Sequence, residues 1–257
     1  MTNPATTPAP SAIYPSLKGR KVLITGGGSG IGAGLVTGFV RQGAIVHFID
    51  LVDDVSATLD AGVIGQKPVF HKCDLTDTPA LEKTLAAILA DGPVHILLNN
   101  AARDDRHSLS EVTSEFFDAN IAVNLKHMAM CTRAVAPGMK AAGGGAILNF
   151  GSISWHLGLP DLVLYETAKA AIEGFTRALA RELGPDNIRV TTIIPGNVKT
   201  KRQEKWYTPE GERQIVEAQC LPGRIVPENV AALAMFLASD DAALCTGHGY
   251  WIDAGWR

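Results

Sequence analysis

Short unbroken apolar runs alternate along this chain with longer stretches whose apolar residues recur every three or four positions. The first kind suits strands buried on both faces, the second helices with one buried side. Val22–Ile24, Ile45–Ile49, Val69–Cys73, Val94–Leu98, Gly145–Phe150, Ile188–Ile194 and Tyr250–Ile252 read as strands. Helical spacing follows Gly32 (Leu35, Val36, Phe39, Val40) and runs over Pro79–Asp91, Ser114–Ala142, Val163–Leu183 and Glu228–Leu237. Val52–Gly65 reads as a weak helix plus loop, and Lys201–Gln219, polar and aromatic with no long apolar face, as a lid. Strands alternating with helices predict right-handed crossovers and one α/β domain over residues 17–257. Its core is a doubly wound parallel sheet of about seven strands with helices on both faces. Residues 1–16, rich in Pro, Thr and Ala, read as a largely disordered tail in which Ile13 and Tyr14 are the side chains able to pack down.

Composition narrows the function classes. Of 257 residues, 46% are apolar, enough for one sizeable core. A net charge of −3 argues against nucleic acid or an anionic membrane as partner. No apolar run reaches the roughly 18 residues of a membrane span. The N-terminal stretch lacks the basic and apolar segments of a signal peptide. Cys73, Cys131, Cys220 and Cys245 are scattered, with no Cys-x-x-Cys pair. That spacing predicts no metal site and no disulfide framework, and fits a reducing, cytoplasmic setting.

The chemistry begins at Lys21-Val-Leu-Ile-Thr-Gly-Gly-Gly-Ser-Gly-Ile-Gly32, which reads as strand, tight turn and helix. Glycines at 26, 28, 30 and 32 permit positive φ and close backbone approach to a ligand. The helix that starts there offers free N–H groups and its positive dipole end, a setting that favours phosphate. Asp50 ends the next strand, 20 residues past Gly30, where an acid can accept from the ribose hydroxyls of an adenosine. The combination predicts dinucleotide binding. Asp50 would repel a 2′-phosphate, and the turn offers Ser29 with no Arg or Lys before Gly30, so NAD is the expected cofactor. Leu51 adds no charge, and the open loop after it leaves room for partial use of NADP. Further along, Tyr165 and Lys169 stand four apart on a helix, sharing a face. A nearby ammonium and the positive ring of an oxidised nicotinamide would lower the phenol's pKa and make it a base. Ser152, at a strand end, can hydrogen-bond a reacting oxygen. Ser154 is its rival. Asn124 lies within a helix.

The spacing Thr-Gly-x-x-x-Gly-Ile-Gly (Thr25–Gly32), with Asn99-Asn-Ala-Ala102, Asn124, Ser152 and Tyr165-x-x-x-Lys169, resembles the short-chain dehydrogenase/reductase family from about Leu17 to the C-terminus. The 13-residue gap from Ser152 to Tyr165 matches that family, and the gap of 11 from Ser154 matches it less well. The resemblance implies a Rossmann-type fold and a catalytic tetrad of Asn124, Ser152, Tyr165 and Lys169, with Asn124 holding a water that links the lysine to solvent. It implies cofactor contacts from Gly26, Gly28, Ser29, Gly30, Ile31, Gly32, Asp50, Leu51, Asp74, Leu75, Asn100, Ala101, Ala102, Tyr165, Lys169, Pro195, Gly196, Val198 and Thr200. Asp74 would meet the adenine amine, and Asn99 would brace the sheet. Ala102 departs from the family's usual glycine and predicts a slightly tighter cofactor site. A homotetramer joined through the two long helices is implied as well.

Within the family, Ala12–Gly19, Asp104–His107, Asn149–Lys169, Pro195–Gly211 and Cys245–Arg257 resemble a group of aldopentose 1-dehydrogenases acting on D-xylose or L-arabinose. The resemblance implies oxidation at C1 to the lactone. The alternative is another member acting on a ketone, a 3-oxoacyl group, or another sugar or polyol. A catalytically silent cofactor-binding regulator is a rival that the complete tetrad argues against. Sugar recognition needs hydrogen-bonding side chains and aromatic faces. Asp104, Asp105, Arg106, His107, Trp155, His156, Asn197 and Trp206 stand near the expected pocket. Ser152, Ser154, His156, Asn197, Trp206 and Asp105 are the candidate substrate contacts.

Overall fold

A computed structural model describes residues 11–53, 66–204 and 207–256. Seven parallel strands form one sheet in the order β3-β2-β1-β4-β5-β6-β7. They are β1 (Lys21–Thr25), β2 (Ile45–Asp50), β3 (Val69–Lys72), β4 (Ile96–Asn99), β5 (Gly145–Phe150), β6 (Ile188–Pro195) and β7 (Gly249–Ile252). The central strands are buried along their length, as unbroken apolar runs require when helices cover both faces. Helices α1 (Gly30–Arg41) and α9 (Pro227–Ala238) pack over one face, where a Cβ on Gly34 would come within 2.6 Å of Pro227. Helices α2 (Thr78–Leu89), α4 (His127–Ala141) and α6 (Val163–Leu183) cover the other around Leu81, Leu85, Cys131 and Val135.

The expected single helix over Ser114–Ala142 is three pieces. Helix α3 (Ser114–Ile121) leads through a π-helical turn, Ala122–Lys126, into α4. A π turn inserts one extra residue without breaking the rod, so the apolar period hides it. Asn124 sits in it. The expected lid carries two short helices, α7 (Lys201–Glu204) and α8 (Pro209–Glu217), besides the small α5 (Ser154–Leu157) after β5. Thr208 caps α8 by accepting from the Gly211 N–H, and Ile215 is the side chain it buries. Part of the expected tail is held in place. The Tyr14 N–H donates to Gln42 Oε1 (2.8 Å), and Gln42 Nε2 donates to the Ala12 carbonyl. Tyr14 packs against the core, whereas Ile13 is exposed. Most of the expected weak helix at 52–65 lies outside the described residues.

A chain of polar side chains runs through the core beneath the strand ends. Asn99 Nδ2 donates to Asn149 Oδ1 (2.9 Å), so Asn99 braces β4 against β5 as expected. Asn149 Nδ2 donates to Thr176 Oγ1 on α6, and Thr192 Oγ1 on β6 donates to the same oxygen (2.7 Å). All four residues are buried. Thr176→Val keeps the shape and leaves both donors without an acceptor, which should cost about 2–4 kcal/mol. Thr176→Ser, which keeps the hydroxyl, should cost clearly less. Denaturant midpoints decide it, and equal losses for the two variants would mean that the hydroxyl acts only by volume.

Candidate active site

In a parallel sheet every strand's carboxyl end faces the same side, and the side chains that carry chemistry gather there. Gly26 follows β1, Asp50 ends β2, Asp74 lies two residues past β3, Asn99 ends β4, Ser152 lies two past β5, and Pro195 ends β6. Strand order reverses between β1 and β4, which opens a crevice at that switch point.

The glycine turn fits a dinucleotide. Gly26 has φ +67° and Gly30 φ +54°. A Cβ on Gly28 would lie 2.0 Å from the Val52 carbonyl oxygen, and one on Gly32 would lie 1.8 Å from that of Gly26. The first packs the turn against the chain after β2, and the second packs the first turn of α1 against the end of β1. Ser29 precedes α1 without a side-chain cap, and the first turn carries no acid, so the amides of Gly30, Ile31 and Gly32 are left for an anionic partner. Asp50 Oδ2 accepts from the Gly28 N–H (2.8 Å), and its Oδ1 accepts from Leu51 (2.6 Å) and Val52 (3.3 Å). The carboxylate that would meet the ribose therefore also shapes the turn. Leu51 is exposed. Asp74 accepts from the N–H and hydroxyl of Thr76, ahead of buried Leu75. Asn100 Nδ2 donates to the carbonyls of Thr25 and Gly26, and Ala101 lies against Gly26, with Ala102 partly buried beside it. From the other side, the Gly196 N–H donates to Ile252, Val198 is buried beside Ile225, and the Thr200 methyl stands 3.5 Å from where a Gly30 Cβ would be.

Helix α6 carries Tyr165 and, one turn on, Lys169. Lys169 is 2% exposed, and its Nζ donates to the Phe150 carbonyl at 2.7 Å and lies 5.4 Å from the Tyr165 ring centre. Ser152 lies close enough to the Tyr165 phenol to pull its pKa downward. Ser152 Oγ is itself oriented by accepting from the Ser154 N–H (3.1 Å). Ser154 is buried and its own hydroxyl has no partner among the described residues. Of the two serines, Ser152, with the 13-residue gap, is the one whose hydroxyl acts on the tyrosine's pKa. The Asn124 side chain is spent on the loop after β4: Oδ1 accepts from the Arg103 N–H, and Nδ2 donates to the Arg103 carbonyl and to Asn120.

The expected lowering of the tyrosine pKa, which combines the ammonium with an oxidised nicotinamide, does not arise from the protein alone. Burial pushes Tyr165 up to about 12, against the downward pull of Ser152, with smaller opposing effects from Asp104 and Arg202. Burial pushes Lys169 down to about 7, partly opposed by Asp104. Desolvation disfavours charge on both, so near neutral pH the ammonium is too weakly charged to create a phenolate unaided. His127, fully buried beside the lysine, is held down to about 3 by the same cause.

The candidate substrate contacts divide. Asn197 stands just past Pro195-Gly196, whose strand end takes the Ile153 N–H beside Ser152. Asp105 pairs with Arg103. Asp104 pairs with Arg202 of α7 (2.7 Å), joining the loop after β4 to the loop after β6. His107 is scaffold: it accepts from the Leu164 N–H and bonds the Asp105 carbonyl, fixing the start of α6. His156 is taken up elsewhere. Its Nε2 meets Glu173 Oε1 (3.0 Å), which also accepts from Trp155 Nε1, and its ring packs at a tilt between Trp155 and Trp251. Trp206 lies outside the described residues. Arg224, which no motif marks, joins the site by contact with Asn197.

A family profile described as enoyl-(acyl carrier protein) reductase matches residues 26–257. Over 249 residues the chain is 69% identical to a D-xylose 1-dehydrogenase of Caulobacter vibrioides, covering 96% of this chain and 99% of that one. It is 45% identical over 251 residues to a probable galactose dehydrogenase of Rhizobium meliloti, covering 96% and 98%. A solved 7α-hydroxysteroid dehydrogenase, complexed with NADH and 7-oxo glycochenodeoxycholic acid, superposes with a TM-score of 0.88 at 28% identity, covering 95% and 96%. The seven-stranded fold agrees with these matches, and the chain belongs to the short-chain dehydrogenase/reductase family of nicotinamide-dependent oxidoreductases.

Proposed function

We propose that this protein oxidises an aldopentose, D-xylose or L-arabinose, at C1 to the corresponding lactone with NAD+. The observation that carries the chemistry is Tyr165 one helical turn from a buried Lys169, 5.4 Å from ring centre to Nζ, with Ser152 acting on the phenol from the end of β5. The choice of a pentose is supported by 69% identity, over nearly the whole chain, to a protein described as D-xylose 1-dehydrogenase. The residues present fit the dinucleotide: Gly26 to Gly32 for its phosphates, Asp50 for the adenosine ribose, Asp74 for the adenine, and Pro195 to Thr200 for the nicotinamide end. When bound, the nicotinamide supplies the hydride acceptor and a positive charge. Tyr165, as phenolate, takes the proton of the anomeric hydroxyl. Ser152 donates to the same sugar oxygen and steadies its developing charge. Lys169 holds the nicotinamide ribose and, as its charge is restored, favours the phenolate.

NAD over NADP rests on Asp50, whose carboxylate would face a 2′-phosphate at short range. Two charges about 4 Å apart near a protein surface repel by several kcal/mol at most. The chain works in this reading as a homotetramer through the outer sides of α3, α4 and α6, where Phe117 and Val163 are exposed. It resides in the cytoplasm, where its four free cysteines stay reduced. Among the described residues no helix is long and apolar enough to cross a membrane.

A panel of aldoses with NAD and NADP, followed at the nicotinamide absorbance, tests the reading. D-Xylose or L-arabinose should turn over, with NAD favoured at least about tenfold in kcat/KM. Asp50→Asn, which keeps the side chain's size, should shrink that preference. Turnover only of a ketone or an acyl thioester with reduced cofactor would overturn the sugar assignment.

Tyr165→Phe keeps the ring and removes the proton acceptor, so kcat should fall at least about 10²-fold while NAD still binds. In the free protein the tyrosinate absorbance that this variant lacks should emerge only near pH 12, and it should move down when NAD+ is added. A variant keeping more than about a tenth of wild-type turnover would remove Tyr165 from the role of base.

Lys169 has its own signature in stability. Its pKa is about 7 folded against an ordinary 10.5, so between those values the unfolded chain binds more protons and stability rises with pH. The rise from this one group is at most about 1.4 kcal/mol per pH unit. Lys169→Met removes it, so the variant's stability relative to wild type should be greatest at pH 6–7 and decline towards pH 10. A difference that is flat across that window, in melts of the free protein, would contradict the depressed pKa.

A further inference from the structure

Asn197 takes two hydrogen bonds on one atom. Tyr207 Oη donates to its Oδ1 at 2.7 Å, and Arg224 Nη2 donates to the same oxygen at 2.8 Å. An arginine has donors and no acceptor, so it can face only the oxygen of an amide. That fixes which way the Asn197 side chain is turned. Its NH₂ group points away from both partners, and no described residue accepts from it. The arginine is itself locked. Its side chain is 10% exposed, its Nη1 lies 2.5 Å from Glu212 on α8, and its guanidinium covers the Tyr207 ring at 4.9 Å from the ring centre. The segment beside it runs parallel to the loop after β6, with Val198 bridged to Ile225 and the Lys199 N–H donating to the Ile225 carbonyl.

We propose that Arg224, with Tyr207 and Glu212, positions Asn197 as an obligatory hydrogen-bond donor to the substrate, and so makes this corner a test for an acceptor oxygen on the sugar. The inference rests on the pentose reading above and names the polarity of one of its contacts. A substrate hydroxyl at this position is recognised through its lone pair. An analogue with hydrogen in place of that hydroxyl leaves the amide donor unmet and loses about tenfold in kcat/KM. Glu212 sits on α8, so the same triad ties the expected lid to the polarity of the site.

The experiment compares D-xylose with its 2-, 3- and 4-deoxy analogues on the wild-type enzyme and on variants. Wild type should discriminate against one analogue by about tenfold or more. Asn197→Ala should bring that ratio close to one, through KM more than kcat, while the other ratios hold. Asn197→Asp keeps the shape and the partner of Arg224 but has no donor, so it should lose the same ratio even if the alanine variant fails to fold. Arg224→Met frees the amide to turn over and should erode the ratio, and Arg224→Lys, again a donor without an acceptor, should restore part of it. Tyr207→Phe leaves the arginine in place and should keep the ratio. Undiminished discrimination in both Asn197 variants overturns the proposal. So does a loss of NAD affinity in step with the rise in KM, because the amide would then face the cofactor. If wild type turns over no pentose, the reading above fails instead, and the series is run on the deoxy analogues of whichever hydroxylated substrate is oxidised.

Discussion

The seating of α6 on the ends of β5 and β6 is the contact on which the rest of the molecule depends, and it is polar. The Lys169 ammonium donates to the Phe150 carbonyl where β5 stops, and two turns later the Thr176 hydroxyl accepts from both Asn149 and Thr192. Apolar packing alone would let a helix slide or roll on a sheet at modest cost. Buried hydrogen bonds are directional and costly to leave unmade, so they fix one rotation and one register. A roll of α6 by a single residue would turn Tyr165 and Lys169 roughly 100° out of the crevice. The chemistry therefore rides on a helix that is locked from below, while the loops above it are joined by exposed ion pairs such as Asp104–Arg202, which contribute little rigidity.

Much of this was legible from residue order, and the reason is periodicity. Unbroken apolar runs placed all seven strands, and strand ends then placed Gly26, Asp50, Asn99, Ser152 and Pro195 on one side without any knowledge of contacts. Tyr165 and Lys169 came from helical spacing, which is a property of the backbone and holds wherever the helix holds. The π turn at Ala122–Lys126 escaped because one extra residue per turn leaves the apolar stripe almost unchanged. The loop residues escaped for a different reason. His156 and His107 carry the right chemistry for a sugar, yet each is bound by groups distant in sequence, Glu173 in one case and Leu164 in the other. Arg224 had no signal at all, since its importance comes only from the strand-like pairing that brings it beside Asn197.

Spacing also reports proximity without reporting solvent. A tyrosine and a lysine one helical turn apart suggest mutual stabilisation of phenolate and ammonium. The structure adds the larger effect, which is that both groups lose water and both are driven toward neutrality, Tyr165 up to about 12 and Lys169 down to about 7. Burial weakens the charge on both members before any attraction between them can act. A positive charge arriving above the phenol changes that balance in one direction only. It favours the phenolate, and a phenolate in turn raises the affinity of Lys169 for its proton. Proton transfer and cofactor occupancy are then coupled through desolvation. In the proposed reaction Tyr165 would act as a base only with the cofactor bound, and without it Tyr165 is a buried phenol.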